Sequence, residues 1–222
     1  MNNLFLDVGN TAVKWLFDGE YSSALAKGFD VAQLPPAEKV FVSCVGDRSI
    51  LDGLTNAVFV ESKPSLNNFQ SAYKNPSELG VDRFLAILGG ISKHPSQNLL
   101  IVDIGSALTF DVVLADGKHQ GGLIMPGIKA LRNSFDNFST SCIKLKSGNI
   151  ADNTKDAWSF GTTQMLISTI DRQIDIYLES YNDLTIMLTG GDAENIAPIL
   201  SHKVELHKNL VLDALEQYSG II

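Results

Sequence analysis

The stretch Leu4-Phe5-Leu6-Asp7-Val8-Gly9-Asn10-Thr11 is answered at 100–111 by Leu100-Ile101-Val102-Asp103-Ile104-Gly105-Ser106-Ala107-Leu108-Thr109-Phe110-Asp111. Each is an apolar run that ends in Asp-x-Gly. A short continuous apolar run bounded by glycine is the pattern of a buried central strand, and a second copy implies a duplicated lobe. Further apolar runs at Val40 to Val45, Val58 to Val60, Thr109 to Leu114 and Thr185 to Leu188 read as strands.

Helical spacing fills the gaps between these runs. Leu79, Leu85 and Leu88 recur at helical steps, which predicts a helix from near Ser77 that stops at Gly89-Gly90. Pro126 suits a first helical turn, followed by Ile128, Leu131, Phe135 and Phe138. The longest pattern runs from about Asp156 to Ser180 through Trp158, Met165, Leu166, Ile170, Ile174 and Tyr177. Strands alternating with helices indicate an α/β chain with substantial parallel pairing. The polar stretch Lys93 to Asn98, which contains Pro95, is where the lobes are expected to divide, giving 1–95 and 96–222.

With 222 residues, 45% of them hydrophobic, the chain can bury a sizeable core. Lys and Arg total 17 against 25 for Asp and Glu, so the formal charge of −8 opposes a general grip on nucleic acid. No apolar run approaches the roughly 20 residues that cross a bilayer, and no basic leader with a cleavage site precedes Leu4. The expectation is a cytoplasmic protein with neither a membrane nor a nucleic-acid partner. Cys44 and Cys142 form neither a disulfide framework nor a zinc pattern and read as reduced thiols. His94, His119, His202 and His207 lack metal spacing and read as surface residues, while the methionines after the first and most aromatics read as core.

The chemistry gathers at the glycine turns. Asp7 can hold a divalent cation or a water beside a phosphate, Gly9 lets the backbone approach a ligand, Asn10 and Thr11 offer hydrogen bonds, and Lys14 can offset phosphate charge. A lone Asp-x-Gly equally fits an ordinary turn. In the second copy, Asp103 and Asp111 flank a glycine turn, so adjacent antiparallel strands can bring them together, and Ser106 and Thr109 add hydroxyls in an oxygen-rich set that suits hard cations. Thr189-Gly190-Gly191-Asp192 can cradle an adenosine or simply join a strand to a helix. Gly80-Val81-Asp82-Arg83 sets an acid beside a permanent cation at a helix start: a surface pair, or a proton acceptor beside a carboxylate clamp. Neither a P-loop nor a Rossmann fingerprint is present.

Paired Asp-x-Gly turns on duplicated lobes resemble the superfamily of actin, sugar kinases and Hsp70 chaperones. DVGNTAVK at 7–14, YKNPSELGVDR at 73–83, DIGSALTFD at 103–111, GGLIMPG at 121–127, NTKDAW at 153–158 and TGGDA at 189–193, taken in order, are similar to type III pantothenate kinase. The resemblance implies two ribonuclease H-like lobes with an ATP cleft between them. It also implies ATP-dependent phosphorylation of pantothenate to 4'-phosphopantothenate, the first step of coenzyme A biosynthesis.

Carried over by motif, the resemblance gives Asp7, Val8, Gly9, Asn10, Thr11, Ala12, Val13 and Lys14 to ATP, together with Ser106. Tyr73, Gly80, Val81, Asp82 and Arg83 go to pantothenate, with Asp82 as proton acceptor and Arg83 facing the substrate carboxylate. Asp103 matches the site of a monovalent cation, potassium or ammonium, and magnesium is implied as the companion of ATP. Thr154 matches a threonine that reaches pantothenate from a neighbouring subunit, so a homodimer is implied; Thr162 and Thr163 are its alternatives. Ser106 departs from the usual threonine but keeps the hydroxyl. Two rivals remain: a related kinase acting on a sugar or acetate, and a non-catalytic relative of the accessory transcription factor kind.

Overall fold

Each Asp-x-Gly run becomes the middle strand of a five-stranded sheet in the computed structural model, which describes residues 2–135, 145–146 and 148–222. The first sheet contains β1 (Leu4–Val8), β2 (Ala12–Phe17), β3 (Glu20–Leu25), β4 (Val40–Cys44) and β5 (Ala57–Phe59). A small hairpin, β6 (Ser65–Leu66) with β7 (Phe69–Gln70), leads into helix α1 (Val81–Lys93). The second sheet contains β8 (Asn98–Ile104), β9 (Ala107–Val113), β10 (His119–Pro126), β11 (Leu184–Thr189) and β12 (Glu205–Leu206). Helices α2 (Ile128–Asn133) and α3 (Thr154–Ser180) precede β11, α4 (Ala193–Ile196) follows it, and α5 (Leu210–Tyr218) comes last.

The strand orders are β3-β2-β1-β4-β5 and β10-β9-β8-β11-β12, the same permutation twice. In the first sheet β1 pairs antiparallel with β2 and parallel with β4, and β4 runs parallel to β5. In the second, β8 runs parallel to β11 and β11 to β12, while the two-residue link Gly105-Ser106 turns β8 back into β9. Both sheets are therefore ribonuclease H-like, and the α/β reading with parallel pairing holds.

Two compact units emerge. One comprises Met1–Ser96, Val113–Gly121 and Asn209–Ile222, the other Gln97–Val112 and Gly122–Lys208. They are not contiguous halves: residues 113–121 and the segment of α5 return to the first unit, where α5 packs against α1, β1 and β4. Its buried face is Leu210, Val211, Leu212, Ala214, Leu215 and Tyr218, and its Asp213 accepts a 2.7 Å bond from the Tyr21 hydroxyl and pairs with Lys93 at 3.2 Å.

This packing corrects the expected end of α1. The helix does not stop at Gly89-Gly90 but continues to Lys93. A Cβ on Gly89 would lie 2.9 Å from Leu210 Cδ1 and 3.0 Å from the Leu210 carbonyl oxygen, so the residue without a side chain marks a close helix crossing and not a cap. The expected start also shifts: Pro76–Glu78 form a separate 3-10 turn, and α1 begins after Gly80.

Each sheet has its own core. Leu4, Leu6, Val8, Val13, Val40 and Val42 form the first, with Leu51 and Phe29. In the second unit Leu100, Val102, Ile104, Phe110 and Leu188 meet Leu166, Ile170 and Ile174, spaced four apart along α3. Replacing Ile170 or Ile174 by Ala would cost about 2–5 kcal/mol. Pro126 ends β10 instead of opening a helix, and Gly127 caps α2; Phe138 and Cys142 lie outside the described residues. Met165 and Phe135 are exposed rather than core. His119 corrects the surface reading of the histidines: it is 3% exposed, and His94, His202 and His207 are half-buried. Among the described residues, no helix is long and apolar enough to cross a membrane.

Candidate active site

Asp7 lies next to the end of β1, in the centre of its sheet, where neighbours on both sides face it. The register sets Lys14 of β2 opposite it on one side and Ser43 of β4 on the other. The Ser43 hydroxyl, fully buried, donates a 2.9 Å hydrogen bond to Asp7 Oδ1. Burial pushes the Asp7 carboxyl up to about 6, the Ser43 bond and the Lys14 charge pull it down, and the Asp82 charge pushes it up again. Beyond Asp7 the backbone turns tightly, with Gly9 N–H donating to the Ala12 carbonyl at 3.0 Å. Asn10 at the turn is exposed, Thr11, Ala12 and Lys14 are half-buried, and Val8 and Val13 belong to the core.

The second unit repeats this arrangement. Asp103 pairs in parallel register with Thr189 of β11, as Asp7 does with Ser43 of β4, and Thr189 is likewise buried. The carbonyl of Val8 accepts from Val45 and Gly46 N–H at 3.0 Å, and the carbonyl of Ile104 accepts from Asp192 N–H at 2.9 Å. In both units a glycine after the fourth strand presses on the Asp-x-Gly turn. A Cβ on Gly46 would lie 2.6 Å from the Gly9 carbonyl oxygen. One on Gly190 would lie 2.4 Å from Asp103 Oδ1 and 2.5 Å from the Ile104 carbonyl oxygen. Gly190 also has φ +98°, a conformation that side-chain-bearing residues rarely adopt. Ser106 sits at the β8–β9 turn, its carbonyl accepting from Gly127 N–H at 3.2 Å. Asp111 is buried on the adjacent strand β9.

Sequence reasoning missed Ser43. The signal was available, because Ser43-Cys44-Val45-Gly46-Asp47 and Thr189-Gly190-Gly191-Asp192 both follow an apolar strand with a hydroxyl residue and a Gly-Asp pair.

The third group forms at the start of α1. Gly80 is the N-cap, its carbonyl accepting the Phe84 N–H at 2.9 Å, and its missing side chain leaves room for the Asp82 carboxylate. Asp82 Oδ1 accepts the N–H of Arg83 at 2.7 Å, so the carboxylate folds over a helix N-terminus, whose dipole favours the anion. Val81 and Arg83 are buried and Asp82 is half-buried. Arg83 donates from Nη1 to the Tyr73 hydroxyl at 2.9 Å. Asp7, Tyr73, Asp82 and Arg83 thus belong to one unit, and Asp7 and Asp82 are close enough to influence each other's charge.

Thr154 stands apart as the exposed first residue of α3, behind the N-cap Asn153, whose side chain accepts from Asp156 N–H at 3.0 Å. Thr162 and Thr163 are buried, and Arg132 of α2 donates to their hydroxyls at 2.9 and 3.2 Å. Those contacts tie α2 to α3 and leave Thr154 as the accessible hydroxyl of the three.

A family model described as type III pantothenate kinase matches residues 17–176. A type III pantothenate kinase of Azoarcus sp. (strain BH72) is 32% identical over 96% of this chain and 88% of its own length. Among solved structures, a Campylobacter jejuni protein named as a Baf family transcriptional activator superposes with a TM-score of 0.64 at 22% identity, covering 96% of each chain. A Sinorhizobium meliloti protein named as a 2-dehydro-3-deoxygalactonokinase gives 0.61 at 12% identity, over 99% of this chain and 96% of its own. These two likenesses speak for the fold, which the matching sheet orders show independently, whereas the family match and the Azoarcus relative reach further: the chain belongs to the type III pantothenate kinase family.

Proposed function

We infer that Asp82, Arg83 and Tyr73 are the groups with which this kinase receives pantothenate, and that Asp82 accepts the proton of the reacting hydroxyl. Membership of the family carries the reaction itself, transfer of the terminal phosphoryl group of ATP to pantothenate in coenzyme A biosynthesis. The observation that carries the assignment is the Arg83–Tyr73 hydrogen bond beside Asp82 at the start of α1. Arg83 is the permanent planar cation that a carboxylate needs, and the Tyr73 bond fixes where it points.

The hydroxyl oxygen of pantothenate bonds to the γ-phosphorus while the bond from that phosphorus to the leaving oxygen of ADP breaks, and the hydroxyl proton passes to the Asp82 carboxylate. The transition state is loose, so positioning and electrostatics supply most of the rate, and Asp82 need not be a strong base. The turn from Asp7 to Lys14 suits the phosphates: it has a tight backbone approach at Gly9, a lysine opposite an aspartate, and exposed Asn10. Ser106, with its hydroxyl, is the corresponding ATP contact on the second glycine turn.

The groups around Asp103 fit a hard cation, since its carboxylate and the Ile104 carbonyl are both oxygen donors gathered at Gly190. Potassium or ammonium held there would offset part of the triphosphate charge, and magnesium would accompany the phosphates. Exposed Thr154, together with exposed Leu123 and Ile124 on edge strand β10 and Met165 on α3, supports a homodimer in which Thr154 serves the partner's substrate. ATP and pantothenate as substrates support a cytoplasmic enzyme.

The test is ATP-dependent phosphorylation of pantothenate in magnesium and potassium, with Asp82→Asn as control. The variant is expected to fold and to lose about 10²–10⁴ of the rate. Activity within roughly tenfold of the parent would remove Asp82 from the proton-acceptor role.

A further inference from the structure

Tyr73 lies in a stretch, residues 71–75, that forms neither helix nor strand, and its own N–H is held only locally, by the Ser71 hydroxyl at 3.1 Å. A ring on such a segment needs support from elsewhere if its hydroxyl is to hold Arg83 in one place. His119 provides that support. It is the first residue of β10, belongs to the same compact unit as Tyr73, and is 3% exposed. Its ring centre lies 5.9 Å from that of Tyr73 at an interplanar angle of 22°, an offset stack. Phe69 backs the histidine at 6.2 Å and meets Phe84 of α1 edge-on at 5.3 Å.

The backbone around this contact is fixed as well. Gln70 N–H of β7 donates to the Gly117 carbonyl at 3.0 Å, and Gln70 bridges Lys118, so the turn that precedes His119 is tied to the strand that carries Phe69. The chain of contacts therefore runs from β7 and the 114–118 turn through His119 to the Tyr73 ring, and from the Tyr73 hydroxyl to Arg83.

We propose that His119 is a positioning residue for the acceptor site: its ring stack sets the orientation of Tyr73 and, through the Tyr73 hydroxyl, the direction of the Arg83 guanidinium. This rests on the reading of Tyr73 and Arg83 as pantothenate contacts. What the position requires is a flat ring, so an aromatic replacement preserves the function and an aliphatic one of similar bulk does not.

The experiment compares His119→Phe and His119→Leu with the parent in steady-state kinetics and in ¹⁹F NMR of protein labelled with 3-fluorotyrosine, the Tyr73 signal being assigned with Tyr73→Phe. His119→Leu is expected to raise the KM for pantothenate about threefold to tenfold, the range of a lost ring stack, and to leave kcat and the KM for ATP within about twofold. His119→Phe is expected to stay within about twofold throughout. The Tyr73 resonance is expected to shift or broaden in the Leu variant and to stay close to the parent position in the Phe variant. An unchanged pantothenate KM in His119→Leu, or equal defects in both variants, overturns the proposal. If the parent does not phosphorylate pantothenate, the functional reading fails by itself, and the Tyr73 resonance still decides whether His119 positions that ring.

Discussion

Asp7→Asn should make the ligand-free protein more stable at neutral pH and no more stable in acid. Asp7 titrates at about 6 in the folded chain against an ordinary value of 3.8, chiefly because burial disfavours its charge. The folded state therefore keeps the Asp7 proton up to about pH 6, while the unfolded chain releases it near 3.8. Raising the pH between those values favours the unfolded chain, and above about 6 the deficit stays constant. A shift of about two units corresponds to about 3 kcal/mol, and because the side chain is only half-buried, about 2 kcal/mol is the expected gain. Asn keeps the shape of the protonated acid and an oxygen that can accept the Ser43 hydroxyl, so the substitution removes the charge without opening a cavity. Urea denaturation of both proteins without nucleotide, at about pH 4 and about pH 8, reads the difference directly. The two curves should nearly coincide at the lower pH and separate at the higher one, while the variant loses kinase activity. A difference that does not change with pH, or a variant less stable at pH 8, would refute the reasoning.

Two further predictions concern Asp103. Activity should be higher in potassium than in sodium at equal ionic strength, and equal rates in the two salts would count against a cation there. Gly190→Ala should cost about 2–4 kcal/mol in urea denaturation, from positive-φ strain and from the clash with Asp103 Oδ1 and the Ile104 carbonyl; a loss below about 0.5 kcal/mol would show that the turn yields.

The parts legible in the sequence were those in which local pattern and tertiary role coincide. LFLDV and LLIVDI read as central strands because both faces of a central strand are buried, leaving an unbroken apolar run. The length of α3 was visible from Leu166, Ile170 and Ile174, one core-facing stripe. Edge strand β3, EYSSAL, gave no such signal: it is almost wholly exposed, and nothing in its composition separates it from a loop. Gly89 misled because a glycine that admits a neighbouring helix looks the same in sequence as one that ends its own. The glycine turns announced Asp7, Asp82 and Asp103, but Ser43 and His119 escaped. A buried hydroxyl opposite a carboxylate is defined by register, and a histidine stacked on a tyrosine is defined by packing between segments distant in the chain.

The return of α5 to the first unit bears on how the chain folds as it is made. Ribosomes deliver residues at roughly 5–20 per second. The stretch from Ser96 to Asn209 therefore takes on the order of ten seconds to emerge. Throughout that interval the segments of the first sheet and α1 have been made, but the helix that covers Gly89 and packs on β1 and β4 has not. The apolar surface meant for Leu210, Leu212 and Leu215 lacks that cover until α5 itself has been made. During that interval the first unit is the more vulnerable to aggregation and a natural client for a chaperone, even though its central strand emerges well before α5.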